Sequence, residues 1–421
     1  MRDVIALVMA GGKGERLYPL TQDRSKPAVP FGGIYRIIDI TLSNCINSNI
    51  YKIMILPQYK AQSLVEHLEA GWNIFNYALG HYMKIVPPQM RIGEDWYRGT
   101  ADSVRQNLYL IEREVPEHLL ILSGDHVYKM DYARFRAYHE EKGADITVSV
   151  IEVPVSQAYR FGIVEVAGDY RITGFKEKPA SAEPMPGDSR YTLASMGVYI
   201  FKAQVLIDLL KATDKNDFGK DIIPMALGRY SIYAFPYKRE NRIEDFVYTI
   251  KKDGSRVRVL EPCIRDSSYW RDVGDLDAYW NANMDLTGVD PMFNLYGTKW
   301  PLRTFQMQYP PVKTIFRDIA SNRTGMALDS IVSHGSIISG GVVKNSVLSY
   351  NVIVRSWSEV RESVIMSDVE IGRHCKIMKA IIDKGNRIPP HTEIGYNPEE
   401  DRKRFTVTPR GIVVVPKGAF K

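Results

Sequence analysis

Val4-Ile5-Ala6-Leu7-Val8-Met9-Ala10-Gly11-Gly12-Lys13-Gly14-Glu15-Arg16-Leu17, with Ser25-Lys26-Pro27 shortly after it, is the stretch around which the chain is organised. Seven small or branched apolar residues in a row read as a strand buried on both faces, and the run ends abruptly in glycines. Glycine lacks a β-carbon and tolerates positive φ, so successive N–H groups can turn toward an anion. Lys13, Arg16 and Lys26 bring positive charge to the same place, and a phosphate-handling loop is expected. The plain alternative is a tight strand-to-loop turn with solvated charges. A Walker A loop is excluded, because the glycines crowd together and Glu15 follows Gly14. A dinucleotide fingerprint is excluded too: Arg16 stands where the third glycine belongs, and the second apolar run, Ile53 to Leu56, ends in Pro57-Gln58 rather than an acid.

At 421 residues the chain exceeds the usual size of one core, which predicts two domains. Hydrophobic residues at 45% and charged residues at 25%, with no apolar run long enough to span a bilayer, predict a soluble globular protein and no membrane partner. The first strand starts at residue 4, which leaves no room for a signal or transit peptide, and the expected location is the cytoplasm. Cys45, Cys263 and Cys375 are far apart and odd in number, against a disulfide framework or a metal cluster. The net charge of +6 is modest, and no basic helix is interleaved with aromatics, so nucleic acid is not expected; the mild excess of cations suits anionic small molecules.

Strand and helix alternate after the loop. The helical spacing around Leu42–Ile46, the strand Lys52 to Leu56, the helix Ala61 to Glu69, the strand Leu119–Leu122, the helix Tyr132 to Lys142 and the strand Asp145 to Glu152 predict an α/β domain with a mainly parallel, Rossmann-like sheet. Ligands of such sheets sit beyond the carboxyl ends of the strands. The glycine loop and Ser123-Gly124-Asp125-His126 should therefore share one cleft. A carboxylate leaving a strand end beside glycine is well placed for a divalent cation, which singles out Asp125, whereas His126 reads as a packing or hydrogen-bonding neighbour.

From Phe161 to Tyr199 the pattern changes to short strands with turns. Within it, Glu177-Lys178-Pro179 sets an acid and a base beside a fixed bend, a pair suited to a sugar hydroxyl and a phosphate, or else a solvated salt bridge. Asp217-Phe218-Gly219-Lys220-Asp221 is compact and charged. In Tyr269-Trp270-Arg271-Asp272-Val273-Gly274, Asp272 is either a buried partner of Arg271 or a second metal ligand opposite Asp125, and spacing leaves both readings open.

Prolines 291, 301, 310 and 311 interrupt all periodicity, placing the interdomain connection at residues 287–325 between domains 1–286 and 326–421. Beyond it, apolar residues recur every six positions: Ile331 and Ile337; Val342, Leu348, Val354 and Val360; Ile365, Ile371 and Ile377; Ile382, Ile388 and Ile394. Each block is offset by one residue from the next. This is the pattern of a left-handed parallel β-helix of about four coils, whose aliphatic residues point inward. Its exposed edges predict association.

A Gly-Gly-x-Gly-x-Arg-Leu loop, a Lys-Pro ten residues later, a Gly-Asp after a central strand, a Glu-Lys-Pro and a hexad tail together resemble the sugar-1-phosphate nucleotidyltransferases. The segments Phe31-Gly32-Gly33, Arg36-Ile37-Ile38-Asp39, Trp96 to Asp102, Gly124 to Lys129, Asp217 to Asp221 and Tyr269 to Gly274 are similar, more narrowly, to the glucose-1-phosphate adenylyltransferase family of bacterial glycogen synthesis. The resemblance covers nearly the whole chain. It implies transfer of the adenylyl group of ATP to glucose 1-phosphate, giving ADP-glucose and pyrophosphate, with positioning and cations carrying most of the catalysis. It implies that Arg16, Lys26 and Asp125 are catalytic, that Gly11, Gly12, Gly14, Gln58, Gly99 and Thr100 hold the nucleotide, and that Tyr97, Gly162, Glu177, Lys178, Ser195, Asp217 and Asp221 hold glucose 1-phosphate. Asp125 and Asp272 would hold Mg²⁺.

The resemblance further implies a cytoplasmic homotetramer regulated by metabolites bound between the domains. Arg24, Arg36 and Lys379, with Lys376, Lys384 and Arg387, are candidates for an anionic effector. Many bacterial members carry a lysine two residues after Thr21, where this chain has Asp23, so a different or weaker response to activators is expected. The alternatives are a relative using UTP, dTTP or GTP, a catalytically silent regulatory subunit, and a hexapeptide acyltransferase. Arg16, Lys26, Asp125, Lys178 and Asp272 occurring together speak against the silent subunit, and the scattered His334, His374 and His391 against the acyltransferase.

Overall fold

In the computed structural model, which describes residues 1–12, 14–89, 96–318, 320–321 and 323–420, the run Val4–Ala10 forms β1 at the heart of the first domain. Lys13, counted above among the loop cations, lies outside the described residues. Both faces of β1 are buried as expected: Val4, Ala6, Val8 and Ala10 pack into one apolar cluster, Ile5 and Leu7 into another on the opposite face. Full burial of side chains of this size contributes about 1.5–3 kcal/mol each, so this strand anchors two cores at once.

β1 pairs in parallel with β2 (Lys52–Pro57) on one side and with β4 (His118–Ser123) on the other, and β2 pairs in parallel with β3 (Tyr82–Ile85). Between β1 and β2 runs α1 (Ile37–Asn47), nearly all buried, and a short helix α2 (Thr100–Arg105) precedes β4. β5 (His126–Tyr128) follows β4 directly. The sheet continues through β6 (Ile146–Pro154), β7 (Gly162–Val166), β8 (Ile172–Glu177), β9 (Tyr191–Lys202) and β10 (Ile232–Pro236). Its order is β8-β7-β9-β4-β1-β2-β3, with β6 beside β9 and β10 beside β6.

The sheet is therefore mixed. Its parallel half carries the glycine loop, whereas β9 runs antiparallel to β4, β6 and β7. The register of β9 on β6 shifts between Ser195 and Tyr199, and Gly197 takes φ +68° there, so the strand bulges toward the carboxyl ends of the parallel strands. Far along the chain, β11 (Trp270–Asp272) lies antiparallel to β5, opposing Asp272 to His126 and Trp270 to Tyr128. α3 (Leu276–Met284) follows it, capped by Asp275.

The second domain is the left-handed parallel β-helix, with three faces built from strands stacked in parallel register. Leu348, Val354, Val360, Ile365, Ile371, Ile377, Ile382, Ile388 and Ile394 are buried in its core, in the expected register. The one-residue offset between blocks is a turn of seventeen: Val354 stacks on Ile371 and Ile371 on Ile388. The first turn is one residue shorter, pairing Ile337 with Ile353, which shifts the start of the pattern. Ile338 and Val343 are buried there, rather than the expected Ile337 and Val342, which are half-buried, as is Ile331. Lys313–Ile315, inside the stretch 287–325, pairs in parallel with Ile337–Ser339 at the head of one face.

The two domains share an apolar cluster in which Leu17, Leu20 and Val29 from the segment after the glycine loop meet Tyr279 of α3 and Val364, Met366, Ile381 and Val414 of the coil. Polar contacts cross the same joint: the Trp280 indole N–H donates to the Glu362 carbonyl at 2.8 Å, and the Thr408 hydroxyl to Asp277 at 2.6 Å. The segment leading from the glycine loop is thus built into the domain interface.

Candidate active site

Two cavities open at the carboxyl ends of β1, β2 and β4. The larger, about 490 Å³, is lined by Gly11, Gly12, Gln58, Trp96, Gly99, Thr100 and Asp125 among others. The smaller, about 250 Å³, is lined by Arg16, Glu177, Lys178, Ser195, Asp217 and Asp272 among others. Ser123 and Thr100 border both.

Lys26 stands between them. Its ammonium lies 2.8 Å from Asp125 Oδ2 and 3.2 Å from Asp272 Oδ1. The backbone explains the meeting of residues so far apart in sequence: the ladder of β5 with β11 carries Asp272 opposite His126, next to Asp125. Burial by itself would raise the Asp125 pKa, but the Lys26 ammonium, His126 and the Ser123 hydroxyl hold it well below the usual carboxylate range. Asp272 is lowered for similar reasons, burial being outweighed by His126 and Lys26. Lys26 is raised, because the two carboxylates outweigh its own burial. Of the two readings left open for Asp272, pairing with Arg271 does not occur: Arg271 turns away to Asp285 at 3.1 Å, and Asp272 faces Asp125 across the Lys26 ammonium.

Two ionised carboxylates sharing a single ammonium form the hard oxygen donor set that suits Mg²⁺. His126 sits 3.6 Å from Asp125 and 3.7 Å from Asp272, edge-on to the Trp270 ring at 5.3 Å, as a neighbour that packs on the pair.

The glycines divide by role. A β-carbon on Gly11 would lie 3.1 Å from Gln58 Cβ, so Gly11 lets β2 approach, while Gly12 faces open space. Gly14 lines neither cavity. Its φ of +65° turns the chain, and a β-carbon there would strike Thr21 at 2.9 Å and crowd Lys26 at 3.2 Å. Gly14 therefore acts by bringing Lys26 close. Gln58 donates from its amide to the Tyr97 carbonyl at 2.6 Å, joining the two walls of the larger cavity. Gly99 abuts the Asn216 carbonyl, which a β-carbon would approach to 2.4 Å.

In the smaller cavity, Lys178 takes φ +46° and its N–H donates to the Phe161 carbonyl at 3.0 Å. Its ammonium is 3.6 Å from the Glu177 carboxylate. Glu177 is raised, chiefly by burial. Gly162 and Gly219 leave room for it, since β-carbons there would come within 2.8 and 3.2 Å of its Oε2. Ser195 reaches the cavity from the bulge of β9, and Asp217 both lines it and caps the next turn by accepting from Lys220 N–H at 2.9 Å.

Two residues expected to bind glucose 1-phosphate do not line the smaller cavity. Tyr97 lines the larger cavity and is buried; its hydroxyl donates to the Val86 carbonyl at 2.9 Å and accepts from Asn107, and burial pushes its pKa up to about 12. Asp221 lines neither cavity, because its carboxylate is used within its own turn, accepting from Asn216 N–H at 3.2 Å and Asp217 N–H at 3.0 Å. Sequence reasoning missed Arg160, Phe161 and Trp270 as walls of the smaller cavity. An arginine two residues ahead of a strand carries no local signal; Trp270, two residues before Asp272, did.

The basic candidates for an effector site separate as well. A third cavity, about 200 Å³, opens between the domains and is lined by Arg36, His67, Tyr309, Ser349 and Lys384 among others. Arg24 is buried and ion-paired with Asp383 of the coil. Lys379 faces Glu362 at 4.0 Å and Lys376 pairs with Glu393 at 2.8 Å, both on the outside of the coil, and neither they nor Arg387 line the cavity.

Carboxylates held by one lysine between a glycine-lined cavity and a second, smaller one, at the parallel half of a mixed sheet, suit a nucleotidyl transferase. Residues 5–288 match the Nucleotidyl transferase family, and residues 310–415 match the family described as GlmU-like, C-terminal hexapeptide. Glucose-1-phosphate adenylyltransferase of Rhodopirellula baltica is 47% identical, over 99% of this chain and 91% of that protein. Those of Methylococcus capsulatus, 49% identical over 98% and 93%, and of Koribacter versatilis, 48% identical over 99% and 96%, are similar throughout as well. The chain belongs to the glucose-1-phosphate adenylyltransferase family.

Proposed function

We propose that this chain transfers the adenylyl group of ATP to α-D-glucose 1-phosphate, giving ADP-glucose and pyrophosphate. The observation that carries this reading is the meeting of the two cavities across Asp125, Lys26 and Asp272, in a chain similar along nearly its whole length to proteins named for that reaction. ATP occupies the larger cavity, its phosphates over Gly11 and Gly12 and its base toward Gln58, Gly99 and Thr100. Glucose 1-phosphate occupies the smaller one, its phosphate at Lys178 and its hydroxyls toward Glu177, Ser195 and Asp217.

A phosphate oxygen of the sugar phosphate attacks the α-phosphorus of ATP; the new P–O bond forms as the bond to the β-phosphate bridging oxygen breaks, and that oxygen leaves with the pyrophosphate. No general base is needed, since the attacking phosphate is already ionised near neutral pH. Lys26, between the two cavities, and Arg16, on the wall of the smaller one, stabilise the negative charge growing at the reacting centre and on the departing pyrophosphate. Asp125 and Asp272 would hold Mg²⁺, which when bound neutralises phosphate charge at the reacting centre.

The product is an activated glucose suited to α-glucan synthesis, and we assign the chain to glycogen formation in the cytoplasm. No helix among the described residues is long and apolar enough to cross a membrane. We further propose a homotetramer, assembled through exposed faces of the coil, and an anionic metabolite effector at Arg36 and Lys384 in the interdomain cavity.

Asp125→Asn tests the core of the reading. The variant keeps the parent's melting behaviour and loses pyrophosphate release by roughly 10²–10³-fold or more; activity near the parent level would overturn the assignment.

A further inference from the structure

The smaller cavity contains a cation that the mechanism above leaves without a task. Arg160 closes the short helical turn Val155–Arg160 just ahead of β7 and lines the cavity together with Lys178. β7 and β8 are antiparallel, with Gly162 opposite Glu177, and one step further the Lys178 N–H bonds the Phe161 carbonyl. Arg160 and Lys178 are thus carried to the same open end of the same strand pair. The Phe161 ring between them packs on Trp270 at 5.8 Å, which fixes this end of the pair against the strand that carries Asp272.

Among the described residues the hydrogen bond of the Arg160 guanidinium is a single contact to Asp275 Oδ2 at 3.3 Å. Both side chains of that pair are more than a third exposed or close to it, 35% and 39%, so the pair adds little to stability and is easily exchanged. Asp275 does not depend on it, because its other oxygen caps α3 by accepting from the Ala278 N–H at 2.8 Å. A guanidinium offers five donors in a planar fork matched to phosphate oxygens, whereas Lys178 offers a point charge.

We propose that Arg160 binds the phosphate of glucose 1-phosphate together with Lys178, exchanging its contact with Asp275 for the substrate. This rests on the reading of the smaller cavity as the sugar-phosphate site. A doubly charged phosphate then meets two cations of different geometry, and Arg160 distinguishes the phosphorylated sugar from the free one.

The test compares the full-length parent with Arg160→Ala, Arg160→Lys and Lys178→Ala, measuring kcat and the KM for each substrate. Arg160→Ala is expected to raise the KM for glucose 1-phosphate roughly 10-fold or more. Its kcat and KM for ATP stay within about twofold, and Arg160→Lys falls between the two. An unchanged KM for glucose 1-phosphate, or equal losses in all three parameters, overturns the proposal. Lys178→Ala separates that failure from failure of the underlying reading: if it raises the KM for glucose 1-phosphate while Arg160→Ala does not, the cavity assignment stands and the role of Arg160 falls, whereas no effect from either removes the sugar phosphate from this cavity.

Discussion

Lys26 offsets two carboxylates that would otherwise face each other in a half-buried cleft; these contacts explain its own raised pKa and, together with His126, the lowered ones beside it. Lys26→Met leaves the pair without its counter-charge. We expect turnover to fall roughly 10²-fold or more and stability by about 1–3 kcal/mol. Part of the stability should return with millimolar Mg²⁺, because a cation that binds only the folded state stabilises it by mass action. Thermal melts with and without Mg²⁺ check this; a variant as stable as the parent and indifferent to Mg²⁺ would show that the carboxylates do not depend on a cation.

Lys384 gives a pH dependence of the opposite kind. Burial, then Arg36 and Arg24, lower its pKa to about 8, with Asp383 and Asp368 opposing. For a lysine depressed on folding, the cost of charging is present below that value and is relieved as pH rises through it, so this residue's penalty on the fold fades above about pH 8. An anion in the interdomain cavity gains from the charged form. Binding of sulfate, used as an anion probe of this cavity, should therefore weaken between pH 7 and 9, and Lys384→Gln should flatten the dependence; parallel pH profiles for parent and variant would contradict it.

At this scale the sequence was readable for placement at a strand end, as with Asp125 and Lys178, which line the larger and the smaller cavity. It was unreadable where the role depends on a neighbour brought from afar: Asp272 needs the β5–β11 ladder, and Asp221 and Tyr97 are taken up by partners that spacing does not reveal.

Among the elements, the loop before α2 and the coil make the most direct predictions. Gly99 is extended and could accept any residue by its dihedrals, yet the Asn216 carbonyl fills the space where a β-carbon would go. Gly99→Ala must push the loop from Asn216, and we expect the KM for ATP to rise about 10-fold with little change for glucose 1-phosphate; equal KM values would separate this loop from nucleotide binding. In the coil, Ile371 is fully buried between Val354 and Ile388, its partners on the neighbouring turns. Ile371→Ala should cost about 2–5 kcal/mol in denaturant unfolding, and a loss well under 1 kcal/mol would place it outside the core.

The coil was legible because its core positions recur, and its first turn was misread by one residue because it is one residue shorter. The antiparallel course of β9 was not legible: strand direction is set by connections and pairing, which local pattern does not encode.

For the molecule as a whole, the glycine loop, the interface segment Leu17 to Val29 and the coil form one continuous piece, so the loop is tied directly to the domain joint. The exposed faces of the coil are where we expect subunits to meet, and light scattering should give the mass of four chains. The central claim concerns substrates. It is tested most directly by offering the full-length protein glucose 1-phosphate with ATP, dTTP, UTP or GTP in turn and measuring pyrophosphate release. The account predicts clear preference for ATP with formation of ADP-glucose; preference for any other base, or no release with all four, would contradict it.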